Sequence, residues 1–178
     1  VISTQLDFFE PKTNQLFLVS KLLGGSPSPF DAWLANIGLK TFELRMQRHC
    51  ENAMQLAEWL SKHPKIARVN YPGLESHAGH DLAKSQMHNG FGGMISFELK
   101  GGYDTGVKLM ENLQLITLAV SLGNVDSLIQ HPASMTHSAV PREERQKTGL
   151  TDGLIRFSVG IENMKDLIAD LDQALDSV

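Results

Sequence analysis

The sequence predicts an α+β domain, and three stretches support that prediction. Met94 to Leu99 alternates cleanly, with Ile95, Phe97 and Leu99 on one face and Met94, Ser96 and Glu98 on the other, the period of a half-buried strand. Phe42, Met46, His49, Ala53, Leu56, Ala57 and Leu60 recur at intervals of three and four, which places them on one face of a helix. Near the end, Leu154 to Val159 reads as another strand. Asn163 then caps a last helix, with Asp166 three residues on and an apolar stripe of Leu167, Ile168, Leu171 and Leu175. Strands separated by helices in this way form a small sheet with helices packed on one face.

The other elements follow in order. In residues 1–27, Val1 to Phe9 reads as a strand and Gln15 to Leu23 as a short helix, before Gly24-Gly25-Ser26-Pro27 breaks the pattern. Ser28 caps the next helix, Pro29 suits its first position, and Asp31 is placed to bond back to the cap. The helical pattern from Pro29 to Lys62 is longer than most globular helices, so a break or kink is expected at Gly38, and Pro64 closes the run. Ile66 to Tyr71 is a strand ended by Pro72-Gly73. Asp81 to Met87 gives a turn or two of helix, and Tyr103 to Asn112 a full one. Leu115 to Val120 is a strand running into Ser121-Leu122-Gly123, with short pieces at Ser127 to Gln130 and Arg142 to Lys147.

Composition excludes several classes. Apolar residues make up 42% and charged residues 20%, the balance of an ordinary globular chain. No apolar stretch approaches the ~20 residues of a membrane span. The formal charge of −4, with both signs interspersed, leaves no footprint for nucleic acid or an anionic membrane. The single cysteine, Cys50, forms no internal disulfide framework and suits a reducing, cytoplasmic compartment. The chain opens on Val1 without a basic segment and apolar signal core, and reads as a longer protein entered midway.

Arg156 stands out chemically. Ile155, Phe157 and Val159 share one strand face, and Arg156, Ser158 and Gly160 share the other, so a guanidinium lies among small neighbours. Two roles fit it: a two-pronged clamp for a substrate carboxylate, which Lys cannot reproduce, or an edge-strand arginine paired with a nearby acid. Ala119-Val120-Ser121-Leu122-Gly123 offers a hydroxyl and backbone N–H groups at a strand end, suited to an anionic oxygen, although a plain capped turn fits as well. His131 to Ser138 clusters histidines and hydroxyls that can line a pocket, and its spacing matches no zinc signature, so no metal is expected. His77, His80 and His88 read as solvated loop residues. Cys50 reads as a buried structural thiol, and Met46, Met54, Met94 and Met110 as core. No nucleophile elbow or phosphate-binding glycine loop is present.

Taken together, Ser28-Pro29-Phe30-Asp31, Gly38-Leu39-Lys40-Thr41, Leu44 to Cys50, Tyr71-Pro72-Gly73-Leu74, Gly92 to Glu98, Ala119 to Gly123, His131 to His137 and Ile155 to Glu162 resemble the Cys/Met-metabolism (trans-sulfuration) family of pyridoxal-phosphate enzymes, in order and from about residue 24 to the end. The pattern is most similar to the methionine γ-lyase branch. Val120 stands before Ser121, where members acting on cystathionine often have Glu, and the run His131 to His137 is typical of that branch. Lys21 departs from it, since an acidic residue usually stands just before the first Gly-rich turn.

The resemblance implies the small C-terminal domain of the aspartate-aminotransferase-like (type I) fold, with a short, mostly antiparallel sheet. It makes residues 1–27 an arm or remnant of the large cofactor domain and residues 28–178 the substrate-closing domain with its long leading helix. It implies pyridoxal 5'-phosphate as cofactor of the full-length enzyme. The Ser-x-Thr-Lys segment that would bind it is missing, because Ser3-Thr4-Gln5 does not match and Lys12, Lys21 and Lys40 have the wrong neighbours. No catalytic residue is therefore expected in this chain, and the chain alone is expected to be inactive. By the same likeness Arg156 and Ser121 bind the substrate's α-carboxylate, Val120 and Leu122 flank that turn, and Thr136 supports Arg156. The implied partners are an amino-acid substrate and further copies of the chain, a homotetramer at full length. The implied reaction is γ-elimination from a sulfur amino acid. O-acetylhomoserine sulfhydrylase and cystathionine γ-synthase or γ-lyase chemistry are the alternatives within the family, and a non-catalytic carboxylate- or partner-binding module is the alternative outside it.

Overall fold

A computed structural model describes residues 22–178. These fall into two compact units, one running up to Phe42 and the other Glu43–Val178. Phe8, Phe9, Leu16, Phe17 and Lys21, and the elements expected before residue 22, lie outside the described residues.

In the first unit, helix α1 (Pro29–Leu39) starts as its sequence predicts. The Ser28 hydroxyl accepts the Asp31 N–H at 3.1 Å while Asp31 accepts the Ser28 N–H at 3.2 Å. This reciprocal pair satisfies two donors that a helix start leaves bare. The break expected at Gly38 falls two residues later. The Lys40 N–H bonds the Ile37 carbonyl, the tighter i−3 pattern that ends a helix, and α2 (Phe42–Lys62) begins beyond Thr41.

The second unit is a mixed five-stranded sheet in the order β1-β2-β5-β4-β3. Its strands are β1 (Ile66–Asn70), β2 (Met94–Leu99), β3 (Thr117–Leu118), β4 (Leu128–Gln130) and β5 (Leu154–Ser158). All pairs are antiparallel except β3 with β4. Nearly all of α2 belongs to this unit, with α3 (His80–Gln86), α4 (Tyr103–Asn112), α5 (Arg142–Lys147) and α6 (Met164–Asp176).

The alternation read from sequence fixes which face of the sheet is dry. Ile95 and Ile129 flank Phe157 in register, and Val69 and Ile155 flank Phe97. Phe97, Phe157, Ile95, Ile129 and Ile155 are buried together with Leu56 and Leu60 of α2, Leu109 of α4, and Leu167 and Leu171 of α6. Full burial of each such side chain is worth about 1.5–3 kcal/mol. The opposite face is polar: Asn70, Ser96, Arg156 and Gln130 form one row across β1, β2, β5 and β4. Thus β5 lies at the centre of the sheet with its guanidinium on the polar side.

Some expectations need correction. Phe42 and Met94 are not core; they are 50% and 38% exposed, Phe42 because it opens its helix and Met94 because it shares the polar face. Cys50 is only half-buried. The strand expected over Leu115–Val120 shrinks to Thr117–Leu118. The carboxylate of Asp170 takes the N–H groups of Gln114, Leu115 and Ile116 at 2.8, 3.0 and 2.8 Å, so these donors serve a turn and not a ladder. Two of the three histidines read as solvated are half-buried: His80 bonds the Pro72 carbonyl and stacks on Phe91, and His77 accepts the Gly79 N–H.

Candidate functional site

Residues 119–127 join two parallel neighbours, β3 and β4, without a helix, and form a strap beside β5. The Ala119 N–H still bonds the Ile129 carbonyl at 3.0 Å, after which the chain leaves the sheet. At the strap's tip, Arg156 Nη2 donates to the carbonyls of Val120 and Ser121, both at 2.9 Å. The Gly123 N–H donates to Ser158 Oγ at 3.0 Å. Gly123 has φ of 79°, a conformation glycine adopts at little cost and most residues do not. Arg156 and Ser158, two apart on one strand face, thus grip the two sides of the same turn.

None of the ion pairs among the described residues involves Arg156. It also lies on the central strand, which removes the reading of an edge arginine neutralised by an acid. Its Nε and Nη1 have no recorded partner among the described residues, and neither do the backbone N–H groups of Ser121 and Leu122 or the Ser121 hydroxyl. Val120, Ser121 and Leu122 are all exposed. A cation and several donors therefore face outward on adjacent elements, an arrangement suited to a carboxylate-sized anion. Both two-pronged edges of a guanidinium include Nη2. A forked carboxylate grip therefore competes with the two strap carbonyls for the hydrogens of Nη2.

Thr136 is placed differently. Its hydroxyl pairs with His137 Nδ1 at 2.8 Å on an exposed loop, and no bond from it to Arg156 is recorded. His131 does not line an opening. It is fully buried, with Nε2 donating to the Asp152 carbonyl at 2.8 Å and Nδ1 accepting from Ser134 Oγ at 2.8 Å. Burial pushes its pKa below the usual histidine value, against weaker opposing effects of the Asp152 carbonyl and carboxylate. Asp152 bonds Arg145 Nη2 at 2.8 Å and Arg142 Nε at 2.5 Å. The hydrogen bond from Arg145 is the main reason its carboxyl titrates below the ordinary range. Tyr71, buried with its hydroxyl on the Gly92 carbonyl, has its pKa raised, first by burial and then by Cys50.

Four residues near Arg156 escaped the reading of the sequence. Ser158 accepts from the strap. Glu162 bonds Ser127 at the strap's base, with the Ser127 N–H at 2.5 Å and its hydroxyl at 2.9 Å. Gln130, opposite Arg156 in register, is buried with Oε1 unpaired among the described residues. The small strand face around Arg156 pointed to Ser158, but bonds between residues 35 apart, such as Ser127 and Glu162, leave no local pattern. Two grooves on this unit lie elsewhere: one of about 400 Å³ is lined by β1 residues such as Arg68 and Asn70, and another by Met54, Gly73 and Phe91. Among the described residues no cluster of His, Cys, Asp or Glu could hold a metal ion, and no helix is long and apolar enough to cross a membrane.

Fold and site together define a small α+β sheet domain that presents one unneutralised arginine beside a solvent-facing turn. The chain belongs to the Cys/Met metabolism PLP-dependent enzyme family, whose model matches residues 5–176. Membership implies the type I fold of pyridoxal-phosphate enzymes. The chain is 58% identical over 157 residues to an L-methionine gamma-lyase of Fusobacterium nucleatum subsp. polymorphum, covering 88% of the chain and 40% of that relative. It is 57% identical over 161 residues to a cystathionine beta-lyase of Coxiella burnetii, covering 90% of the chain and 41% of that relative. To a cystathionine gamma-lyase of Dictyostelium discoideum it is 51% identical over 162 residues, covering 91% and 42%. The chain thus spans about two fifths of the length of the curated relatives it matches.

Proposed function

We propose that this chain is the C-terminal, substrate-closing domain of a pyridoxal-phosphate-dependent carbon–sulfur lyase that acts on a sulfur amino acid, methionine first, by γ-elimination. The full-length enzyme is read as a cytoplasmic homo-oligomer, a tetramer, in which pyridoxal phosphate supplies the electron sink for bond cleavage. The described residues offer donors suited to a carboxylate at Arg156 and the Ser121 turn, and none of their lysines stands in a Ser-x-Thr-Lys segment that would bind the cofactor. The chain by itself should therefore neither bind the cofactor nor turn over substrate.

Within that frame the chain's own residues orient the amino acid. Arg156 receives the α-carboxylate on Nε or Nη1, and completes a fork when Nη2 exchanges a strap carbonyl for the second carboxylate oxygen. The Ser121 hydroxyl and the Ser121 and Leu122 N–H groups add neutral donors. Thr136 supports this end of the site only indirectly, through the loop that follows β4. Holding the carboxylate fixes the rotation about the Cα–carboxylate axis and hence which Cα bond is presented for cleavage.

The single observation that supports this reading is the Arg156 guanidinium on a central strand, with no acid paired to it among the described residues and a turn of exposed donors beside it. In the full-length enzyme Arg156→Ala should raise KM for the amino acid about 100-fold, the loss of a charge-assisted pair worth up to ~3 kcal/mol. An unchanged KM would remove Arg156 from this role. The relative named cystathionine beta-lyase, at nearly the same identity as the first methionine lyase, supports cystathionine as the competing substrate. Comparing kcat/KM for the two amino acids decides between them.

A further inference from the structure

The strap is anchored at its base as firmly as at its tip. Glu162 lies just beyond β5 and reaches back to Ser127, taking its N–H on Oε1 and its hydroxyl on Oε2. Ser127 Oγ in turn accepts the Gly160 N–H at 2.8 Å, and the Ile161 N–H bonds the Val125 carbonyl at 2.8 Å. The fit is close: a Cβ on Gly160 would collide with the Glu162 carboxylate, the Val125 carbonyl and the Ser127 amide. Helix α2 fixes the same segment from below. Asn52 Nδ2 donates to the carbonyls of Gly160 and Glu162, both at 3.0 Å, and His49 Nδ1 bonds the Val159 carbonyl at 2.6 Å. Ser127 is fully buried and Glu162 half-buried, so their charge-assisted bonds are partly shielded from water.

The geometry of these bonds has a direct bearing on Arg156. The carbonyls that occupy Nη2 belong to Val120 and Ser121, and a forked carboxylate grip competes with them for its hydrogens. A tip can exchange one bond and stay in register only if its base does not move. We propose that Glu162 is a positioning residue for the carboxylate site: by anchoring Ser127 it fixes the base of the 119–127 strap, and so sets the plane in which Arg156 meets the substrate's carboxylate. This rests on the carboxylate role given to Arg156 above. Glu162 touches neither substrate nor cofactor and acts through the strap alone.

The test uses the full-length holoenzyme and two probes, L-methionine and 3-(methylthio)propylamine, the same molecule without its carboxylate. Dissociation constants are read from the amplitude of the rapid absorbance change on stopped-flow mixing, before L-methionine is consumed. Glu162→Gln and, as a milder change, Ser127→Ala should each weaken L-methionine about tenfold or more, the equivalent of one lost charge-assisted bond. Both should leave the amine within about twofold, a contrast that a general loss of structure would not produce. In an Arg156→Ala background Glu162→Gln should have no further effect on L-methionine. The proposal is overturned if Glu162→Gln weakens both probes alike, or weakens neither while Arg156→Lys weakens L-methionine. If Arg156→Lys itself leaves L-methionine unchanged, the carboxylate reading fails first, and the proposal with it.

Discussion

Among single residues, His131 and Asp152 set the acid response of this domain. His131 is fully buried against Tyr103, bonded to Ser134 and to the Asp152 carbonyl, and Asp152 is gripped by Arg145 and Arg142. Both groups have folded-state pKa values below their ordinary ones, by burial for His131 and by the Arg145 hydrogen bond for Asp152. A depressed pKa means that the unfolded chain binds the proton more readily, so each group's contribution is complete above its unfolded pKa and is lost as pH falls through its folded one. Thermal melts should therefore weaken in two stages, the first as pH drops below about 6.5 and the second below about 4. His131→Gln should flatten the first stage and Asp152→Asn the second. A melting temperature level from pH 8 to pH 5 in the unsubstituted protein would contradict the first assignment. Arg156 and Ser121 were visible in the sequence because a charge in an apolar strand and a Ser–Gly turn are local patterns. Thr136 was placed against Arg156 on likeness alone, and its recorded partner is His137.

At the scale of elements, α4 is seated by the absence of a side chain. Gly106 is buried, and a Cβ built there would come within 2.6 Å of His131 Nε2, the atom that bonds the Asp152 carbonyl. Gly106→Ala raises helix propensity by up to ~1 kcal/mol, yet it should destabilise by about 1–3 kcal/mol net, because the imidazole has nowhere to go. Denaturant melts read this directly, and a stabilised variant would show that α4 is free to shift. Among the elements that sequence located best, β2, α4 and α6 have their apolar period within the element itself, and α5 is marked by the Pro141 that precedes it. β3 was overestimated because Asp170, more than 50 residues later, takes the N–H groups of its expected first half. Strand order was not legible either, since the central place of β5 depends on pairing with β2 and β4 and not on its own residues. The strap's anchor was hidden for the same reason: Glu162 was a letter in a motif until the fold brought Ser127 to it.

At the scale of the whole chain, the apolar surface is distributed unevenly. Helix α1 buries none of its residues, and Phe30, Trp33, Leu34 and Ile37 are 63, 56, 48 and 42% exposed. Leu22, ahead of it in the chain, is 71% exposed. A helix of 11 residues is marginal on its own even with a capping box, because nucleation is costly and a cap contributes about 1 kcal/mol. Contiguous apolar surface of this kind on an ordinary monomer is a site of association. The chain studied alone should therefore self-associate with rising concentration, and Phe30→Ser with Ile37→Ser should return it to monomer in light scattering. Trp33 reports the same event: with Trp59→Phe to silence the other indole, its emission should shift to the blue as the chain associates. It should be bluest in the full-length protein if the rest of that protein covers α1. A Trp33 emission that is red and independent of concentration in both proteins would mean that α1 is covered by nothing. The apolar spacing of its sequence would then need another explanation.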